Sequence, residues 1–325
     1  MNAPRTRVVR RPVHGVLLLD KPLGWSSNDA LQKVKWLLRA EKAGHTGTLD
    51  PLATGVLPLC FGAATKFSQL QLDADKCYEA TAKLGVKTST ADAEGEVIER
   101  RPVHVTQTDV DRVAKQFTGP ISQMPPMHSA LKKDGKPLYE YARAGIEIER
   151  TPRNVTIYAL GVTFADAVSL PDSLTLTVKC SKGTYIRTLG EDIGEALGCG
   201  AHLSALRRTD TGGFTASQCV SLEQLEAMGD DERKSCLLPV DALLSNHVRV
   251  TLDSENAGRF LSGVRRRGAW ADAQAVAVYG PSPPSGGQAL ALLGTAHIKG
   301  GELIPGRLLS PVEIEESQKQ QEQIS

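Results

Sequence analysis

The chain has 325 residues, 41% of them hydrophobic, which is enough to bury one or two substantial cores. Its formal net charge of +1 means that a polyanion such as nucleic acid has to be bound by local basic clusters. The six cysteines form no CxxC pair and no close His/Cys cluster, and no apolar run approaches the length of a membrane span. We therefore expect a cytoplasmic protein with no metal site and no membrane partner.

The first half of the chain predicts short elements around irregular loops. Residues 1–13 are basic and predict a disordered arm. A buried strand is predicted over 15–19, and Ser26 with Asp29 resembles a capping box that opens a helix over 29–39. The elements that follow are, in chain order, a buried strand at 56–62, a short helix at 64–70, a strand at 76–84 with apolar residues at alternate positions, and a helix at 109–117.

The second half of the chain changes character near residue 245. Before that point we predict an extended Pro-Pro segment, a basic turn (KKDGK) and an amphipathic helix within 124–145, then strands at 154–164 and 174–181 and helices at 186–197 and 221–228. Residues 246–311 predict a small β-rich domain with one helix around 253–262. The polar tail, 312–325, predicts disorder.

The loop AGHTGTLDPLATGVLP, residues 43–58, contains a single carboxylate, Asp50. Pro51 favours extended geometry for Asp50, and the glycines permit backbone shapes that other residues resist. Irregular loops of this length are functional or disordered, and the apolar residues here argue against disorder. Asp50 is therefore a catalytic candidate, with a turn-forming role as the open alternative. A phosphate-binding P-loop is excluded because no GK[ST] follows the required glycine spacing.

Five segments occur in order that together resemble one family. They are GVLLLDKPLGWSSNDAL, KAGHTGTLDPLATGVLPLCFGAATK, KCYEATAKLG, PPMHSALKKDGKPLYEYARAG and KCSKGTYIRTLGEDIGEALG. The chain is thereby similar, over roughly 14–240, to the TruB family of tRNA pseudouridine synthases. The fourth segment resembles the stand-alone bacterial enzymes rather than the dyskerin-type enzymes that rely on guide RNA. The C-terminal residues resemble a PUA-type RNA-binding domain.

The resemblance implies a fold and a reaction. The fold is α+β: a catalytic domain (14–245) around a mixed, largely antiparallel sheet, with a thumb segment (about 125–152), followed by a PUA-like domain (246–311). The reaction is isomerisation of uridine to pseudouridine at position 55 in the T-loop of tRNA, without cofactor or metal. The implied partner is tRNA, held at its T-arm and acceptor end by a monomer with no obligate protein partner.

The resemblance also implies three catalytic residues. Asp50 is the essential carboxylate, acting as nucleophile or as base at the ribose. Arg187 is the arginine that pairs with it. A close cation lowers an acid's pKa by about 1–3, whereas burial raises it, so we expect this pair to keep Asp50 ionised. Tyr78 is the ring on which the flipped base stacks, although its residue pattern alone favours a core tyrosine.

The remaining implied residues hold the substrate. His45 supports the extruded T-loop, Tyr185 is a second ring near the site, and Leu206 is an apolar wall residue. Lys21 supports the active-site loop near a phosphate, whereas Asp20 is structural. Phosphate contacts are expected from the basic residues Lys132, Lys133, Lys136, Arg143, Arg207 and Arg208, and, in the PUA-like domain, from Arg265, Arg266 and Arg267.

Other functions remain open at this stage. A glycoside-cleaving hydrolase could use Asp50 and would release free uracil. A dyskerin-type synthase would need a guide RNA. A non-catalytic tRNA-folding chaperone would flip the base without reacting with it.

Overall fold

The computed structural model describes residues 9–129, 131–166, 168, 172–281 and 290–324. Its main element is a ten-stranded sheet, accompanied by a five-stranded sheet and two ribbons of two strands each. The helices and strands up to residue 143 are β1 (Gly15–Lys21), α1 (Ser27–Leu37), β2 (Ala43–His45), β3 (Ala53–Phe61), α2 (Ser68–Leu72), β4 (Lys76–Leu84), β5 (Val86–Thr88), β6 (Val97–Arg100), α3 (Gln107–Gln116), β7 (Gly119–Gln123), β8 (Lys132–Lys133), β9 (Lys136–Pro137) and α4 (Leu138–Arg143).

The remaining elements complete both sheets. They are β10 (Arg153–Phe164), β11 (Ser173–Cys180), α5 (Ile186–Ala196), β12 (Ala201–Thr211), β13 (Phe214–Thr215), β14 (Val220–Ser221), α6 (Leu222–Ala227), α7 (Asp230–Ser235), β15 (Val248–Thr251), α8 (Ser254–Leu261), β16 (Arg266–Arg267), β17 (Ala273–Pro281), β18 (Leu290–Lys299), β19 (Glu302–Leu308) and α9 (Pro311–Ile324). No helix within these described residues is both long and apolar enough to cross a membrane.

The ten-stranded sheet has the order β14-β1-β3-β12-β4-β11-β10-β7, with β2 paired to β3 and β13 to β12. The pairs β1–β14 and β3–β12 are parallel and the others are antiparallel. The α+β class with a mixed, largely antiparallel sheet is thus confirmed. The five-stranded sheet, in the order β15-β17-β18-β19-β16, forms the predicted β-rich C-terminal region.

Local sequence signals account for several boundaries. The Ser26 side chain accepts a hydrogen bond from the backbone of Asp29 and caps α1 as predicted. Ser221 and Gln224 form the capping box of α6. In β4 buried and less buried residues alternate from Lys76 to Leu84, which matches the predicted strand.

Strand β12 was not predicted, although it lies at the centre of the sheet between β3 and β4. It pairs with β3 where Gly55 lies opposite Arg208. Gly55 has a φ of +97°, and a Cβ there would overlap the backbone carbonyl of Arg208. The glycine therefore allows the end of the catalytic-candidate loop to pack directly against the central strand.

Two predictions about the chain ends differ from the structure. Residues 311–324 form the helix α9 instead of a disordered tail, because side chains in its first turns bind the body of the protein: Glu313 binds Lys66, and Glu316 and Gln320 bind His14. Of the predicted disordered arm, 1–8 lie outside the described residues. The rest is ordered, since Arg11 exchanges backbone hydrogen bonds with Arg39 and Glu41.

The two sheets share a hydrophobic core. One cluster fills the space between the ten-stranded sheet and helices α1, α3 and α5. A second cluster joins Val16, Leu18 and Phe67 of the large-sheet region to Val250, Phe260 and Ile314 of the C-terminal region. Continuous apolar packing therefore holds the C-terminal sheet against the face of the large sheet that is opposite helices α1, α3 and α5.

Candidate active site

Asp50 lies in the loop between β2 and β3, and neighbouring groups fix this loop firmly. The Ser27 hydroxyl accepts a hydrogen bond from the backbone N–H of Leu49 (2.8 Å) and donates one to the carbonyl of the same residue (3.0 Å). Both Ser27 and Leu49 are buried. Both polar backbone groups of the residue just before Asp50 are therefore held. No sequence pattern predicted this role for Ser27.

Lys21 supports the loop from below. Its side chain is fully buried, and Nζ donates to the carbonyls of Trp25 (2.6 Å), Pro22 (2.9 Å) and Pro51 (3.5 Å). Burial lowers the pKa of Lys21 to about 8, against the opposing effect of Asp50. This placement agrees with the expected support of the loop, but it removes Nζ from any surface where a phosphate could bind.

Arg187 brings four groups together at Asp50. Its side chain is 6% exposed, and Nη2 lies 2.9 Å from Asp50 Oδ2 and donates to the carbonyl of His128 at 2.6 Å. Nη1 lies 3.3 Å from Asp92 Oδ2 and donates to the carbonyl of Thr90 at 3.1 Å. The guanidinium is thus fixed between two carboxylates and two carbonyls, which makes it a rigid partner for Asp50.

The predicted ion pair exists, and burial of Asp50 opposes its electrostatic effect. Burial is the largest influence on Asp50 and raises its pKa above the usual value of 3.8; Arg187 opposes this rise, and the nearby Asp92 adds to it. The predicted direction of the Arg187 effect is thus present, but burial outweighs it and the net shift of the Asp50 pKa is upward. Burial disfavours the ionised form of Asp50, and Arg187 partly offsets this effect by stabilising the negative charge.

Asp92 is a functional candidate that the sequence analysis missed. Its side chain is 2% exposed. Its Oδ1 accepts hydrogen bonds from the Thr90 hydroxyl and from the backbone of Glu94 (3.1 Å). Two hydrogen bonds to Oδ1 and the ion pair of Oδ2 with Arg187 therefore hold this buried carboxylate in place. Nothing in the spacing of TSTADAEGE distinguished this acid from its exposed neighbours.

Tyr78 and Leu206 lie side by side in the central strands. Leu206 on β12 is paired with Ala80 on β4, two residues from Tyr78, and both side chains are nearly buried at 8% and 9% exposure. Burial raises the pKa of Tyr78, with the neighbouring Arg208 guanidinium opposing the rise. The hydroxyl therefore stays neutral and the ring presents an apolar surface.

Arg208 does not lie where a phosphate could reach it. It is 1% exposed, and its guanidinium donates to the carbonyls of Val56 (2.7 Å) and Gly47 (3.3 Å). Arg207, expected in the same role, forms a two-pronged pair with Asp20 at 2.9 and 2.7 Å. The expectation for Arg208 is therefore wrong: it holds both ends of the Asp50 loop against β12.

A cavity of about 660 Å³ opens above Asp50. It is lined by five predicted residues, His45, Asp50, Lys132, Arg143 and Arg187, and also by Asp92, Glu94, His128 and Tyr139. Lys132 and Arg143 come from the thumb segment, in which β8 and β9 form a hairpin that leads into α4. The cavity therefore has an acidic floor and a basic wall. Tyr78, Leu206, Tyr185, Lys21 and Arg208 do not line it.

The side chains of two further predicted residues, His45 and Tyr185, favour their neutral forms. Burial lowers the pKa of His45, and Arg208 adds to this effect, so the neutral imidazole is favoured. Burial raises the pKa of Tyr185, which lies just before α5. Both are suited to shaping a site rather than to exchanging protons at neutral pH. Among the described residues, no group of three or more His, Cys, Asp or Glu side chains is placed to hold a metal ion.

Comparison with known proteins identifies the family. A model described as "TruB family pseudouridylate synthase (N terminal domain)" matches residues 35–186, and one described as "tRNA pseudouridylate synthase B C-terminal domain" matches 187–245. The chain belongs to the TruB family of pseudouridylate synthases. This TruB-family chain is therefore an enzyme, and the family boundary at 187 falls at the arginine that contacts Asp50.

Curated relatives support the same family over nearly the whole chain. The TruB-family chain is 66% identical over 315 residues to the "tRNA pseudouridine synthase B" of Verminephrobacter eiseniae (strain EF01-2), covering 96% of this chain and 93% of the relative. It is 61% identical over 303 residues to the protein of that name from Ralstonia pickettii (strain 12J), covering 92% and 95%.

Solved structures share the fold at lower identity. The "Crystal Structure of a Cbf5-Nop10-Gar1 Complex" contains a chain that matches with a TM-score of 0.67 and 25% identity, covering 97% of this chain and 92% of that one. The "Structure of H/ACA RNP bound to a substrate RNA containing 2'-deoxyuridine" matches with a TM-score of 0.65 and 23% identity, covering 93% and 87%. The second likeness concerns the fold alone.

Proposed function

We propose that this enzyme isomerises uridine 55 in the T-loop of tRNA to pseudouridine. The base is flipped into the cavity, Asp50 acts on the nucleoside, and the glycosidic N–C bond is replaced by a bond to C5 of the same uracil. The names of the curated relatives support tRNA as the substrate. The enzyme acts on tRNA in the cytoplasm, as a monomer without an obligate protein partner.

The observation that carries this proposal is the contact of Asp50 with Arg187 at the floor of the cavity. A carboxylate can act on the nucleoside as nucleophile or as base, and either role requires the ionised form. Burial disfavours that form, and the fixed guanidinium counteracts burial. The geometry supports both roles of Asp50 equally.

Base flipping has an energetic cost that the site can offset. Extruding a base costs a few kcal/mol, and stacking it on an aromatic ring returns about 1–3 kcal/mol. Tyr78 is the proposed stacking ring. It is 9% exposed, so neighbouring side chains must shift before a base can lie against it. The flipped base itself provides the new cover for the ring.

Phosphate contacts supply the remaining affinity. Lys132, Lys133 and Arg143 in the thumb segment are exposed, and Lys132 and Arg143 line the cavity. In the C-terminal region, Arg265 and Arg267 are exposed, although Glu302 pairs with both. We assign the thumb cations to the T-arm, and the C-terminal cations to the acceptor end.

A single assay tests substrate and reaction together. Purified protein is incubated with tRNA carrying tritium at uracil C5, with no other RNA or protein present. Isomerisation releases tritium to water while the base stays attached to the RNA. Released uracil would identify a hydrolase, a requirement for guide RNA would identify a dyskerin-type synthase, and binding without tritium release would identify a chaperone.

A further inference from the structure

Gln123 is the last residue of β7, and its side chain is buried at 1% exposure. Its Oε1 accepts a hydrogen bond from the backbone N–H of Tyr185 (3.0 Å), and its Nε2 donates to the carbonyl of the same residue (3.2 Å). The oxygen and the nitrogen of one buried side-chain amide thus both hydrogen-bond to the backbone of a single residue, Tyr185, which is distant in sequence. Such a fully satisfied buried pair is costly to disturb.

Tyr185 occupies the position just before α5, where no side chain of the helix itself provides a cap. The first N–H groups of a helix lack partners within the helix. Gln123, at the end of strand β7, supplies an acceptor for the backbone N–H of Tyr185. The Tyr185 carbonyl also accepts the first hydrogen bond of the helix, from the backbone of Leu189 at 3.0 Å. Gln123 therefore fixes the start of α5, two residues before Arg187.

The same region connects α5 to the thumb segment. The chain enters the thumb segment directly after Gln123, and the carbonyl of His128 within it accepts from Nη2 of Arg187 at 2.6 Å. The base of the thumb segment is thus tied to α5 at two points, once through Tyr185 and once through Arg187. A displacement of about 1 Å at a reacting group costs on the order of 10²-fold in rate, so this tie matters for chemistry.

We infer that Gln123 is a positioning residue for the proposed isomerisation: it holds the start of α5 so that Arg187 meets Asp50. The inference rests on the proposed function. Gln123 does not contact Asp50, and it acts through the Tyr185 backbone and the Arg187 guanidinium.

A loosened Arg187 has a recognisable consequence at Asp50. The groups that influence the pKa of Asp50 are Arg187 on α5, Asp92 and Glu94 in the segment after β5, and Lys21 on β1. The titratable side chains of His45, Lys132 and Arg143 line the same cavity, and a substitution of Gln123 does not change them. Displacing the guanidinium weakens the main influence that lowers the pKa of Asp50, while burial and the two acids remain. The acid limb of the pH–rate profile then moves to higher pH.

The test compares Gln123→Met, which keeps the side-chain length but removes both hydrogen bonds, with Gln123→Glu, which keeps an acceptor for Tyr185. Single-turnover tritium release from tRNA is followed over about pH 5–9, together with tRNA binding and the melting temperature. For Gln123→Met we expect a rate at neutral pH reduced by about 10–100-fold, partial recovery at higher pH, and unchanged affinity. Gln123→Glu should lie between the wild type and Gln123→Met.

Gln224→Met serves as the control, because Gln224 caps α6 rather than α5; its rate and pH profile should match the wild type. A folded Gln123→Met with the wild-type rate, or with a lower rate but an unshifted pH profile, would overturn the inference. If Gln123→Met does not fold, the rate and the pH–rate profile of Gln123→Glu are compared with the wild type instead, and the same outcomes apply. A wild-type protein that releases no tritium would overturn the proposed function itself, before any variant is compared.

Discussion

The buried carboxylate of Asp92 lies 3.3 Å from Nη1 of Arg187, on the arm of the guanidinium that Asp50 does not contact. One cation therefore serves two acids, of which only Asp50 faces the cavity with a substantially exposed side chain (38%, against 2% for Asp92). Asp92 orients the guanidinium, and Asp50 remains accessible from the cavity even though burial is the largest influence on its pKa.

Asp92→Asn is expected to slow turnover while moving the pH profile downward. The variant weakens the hold on Arg187, which we expect to cost on the order of 10²-fold in rate. It also removes a negative charge that raises the pKa of Asp50. Because Nη2 of Arg187 keeps its direct contact with Asp50 in this variant, unlike in Gln123→Met, the loss of that charge should decide the direction and shift the acid limb to lower pH. Single-turnover rates across pH measure both effects. An unchanged rate and limb would show that Asp92 has no part in the site.

Arg187→Met should move the acid limb in the opposite direction. Without the guanidinium, burial and Asp92 raise the pKa of Asp50 further, so a smaller fraction is ionised at neutral pH. We expect turnover to fall by orders of magnitude at neutral pH. The pH–rate profile checks this, and a rate near that of the wild type would show the contact to be incidental.

Asp50→Asn should abolish turnover without weakening the fold. Because the folded-state pKa of Asp50 is raised, stability is highest below the unfolded-state pKa and falls as pH increases through the folded-state value. At neutral pH the ionised carboxylate therefore costs stability, and asparagine removes that cost. We expect no tritium release, retained tRNA binding, and a melting temperature no lower than that of the wild type. Residual conversion would exclude Asp50 as nucleophile or base.

The salt dependence of tRNA binding should separate exposed cations from buried ones. Lys132→Ala and Arg143→Ala remove charges at the cavity mouth, so each should weaken binding and lower the salt slope by about 1. Arg208→Met is the matched control, because this buried arginine binds two backbone carbonyls. It should lower the melting temperature and leave the salt slope unchanged. A reduced salt slope of tRNA binding for Arg208→Met would instead show that Arg208 contacts a phosphate of the RNA.

The contact between Lys66 and helix α9 should contribute to stability. Lys66 Nζ donates to the carbonyl of Leu308 (2.9 Å) and to Glu313 Oε2 (2.6 Å), and both side chains are largely buried. Lys66→Met should lower the free energy of unfolding by about 1–3 kcal/mol in urea titrations. Lys319→Met removes an exposed pair with Glu315 within the same helix and should have no measurable effect. Equal stability of the two variants would contradict the docking role of α9.

The sequence by itself determined the features that depend on neighbouring residues. The alternation in β4, the Ser26 cap of α1 and the Ser221–Gln224 box of α6 could be predicted because each is a local pattern with a local physical cause. The order of the family segments indicated Asp50, Arg187 and their pairing, which the structure shows at 2.9 Å.

Only the tertiary structure decided which polar groups are buried and what they bind. Arg208 was expected to contact a phosphate and Lys21 to lie near one, yet backbone carbonyls enclose both cations. Asp92 and Gln123 had no sequence signal, because their importance arises where a loop and a strand end meet α5. The direction of the Asp50 pKa shift depends on the balance between burial and the Arg187 guanidinium. Both effects arise only in the folded protein, where distant segments surround the site.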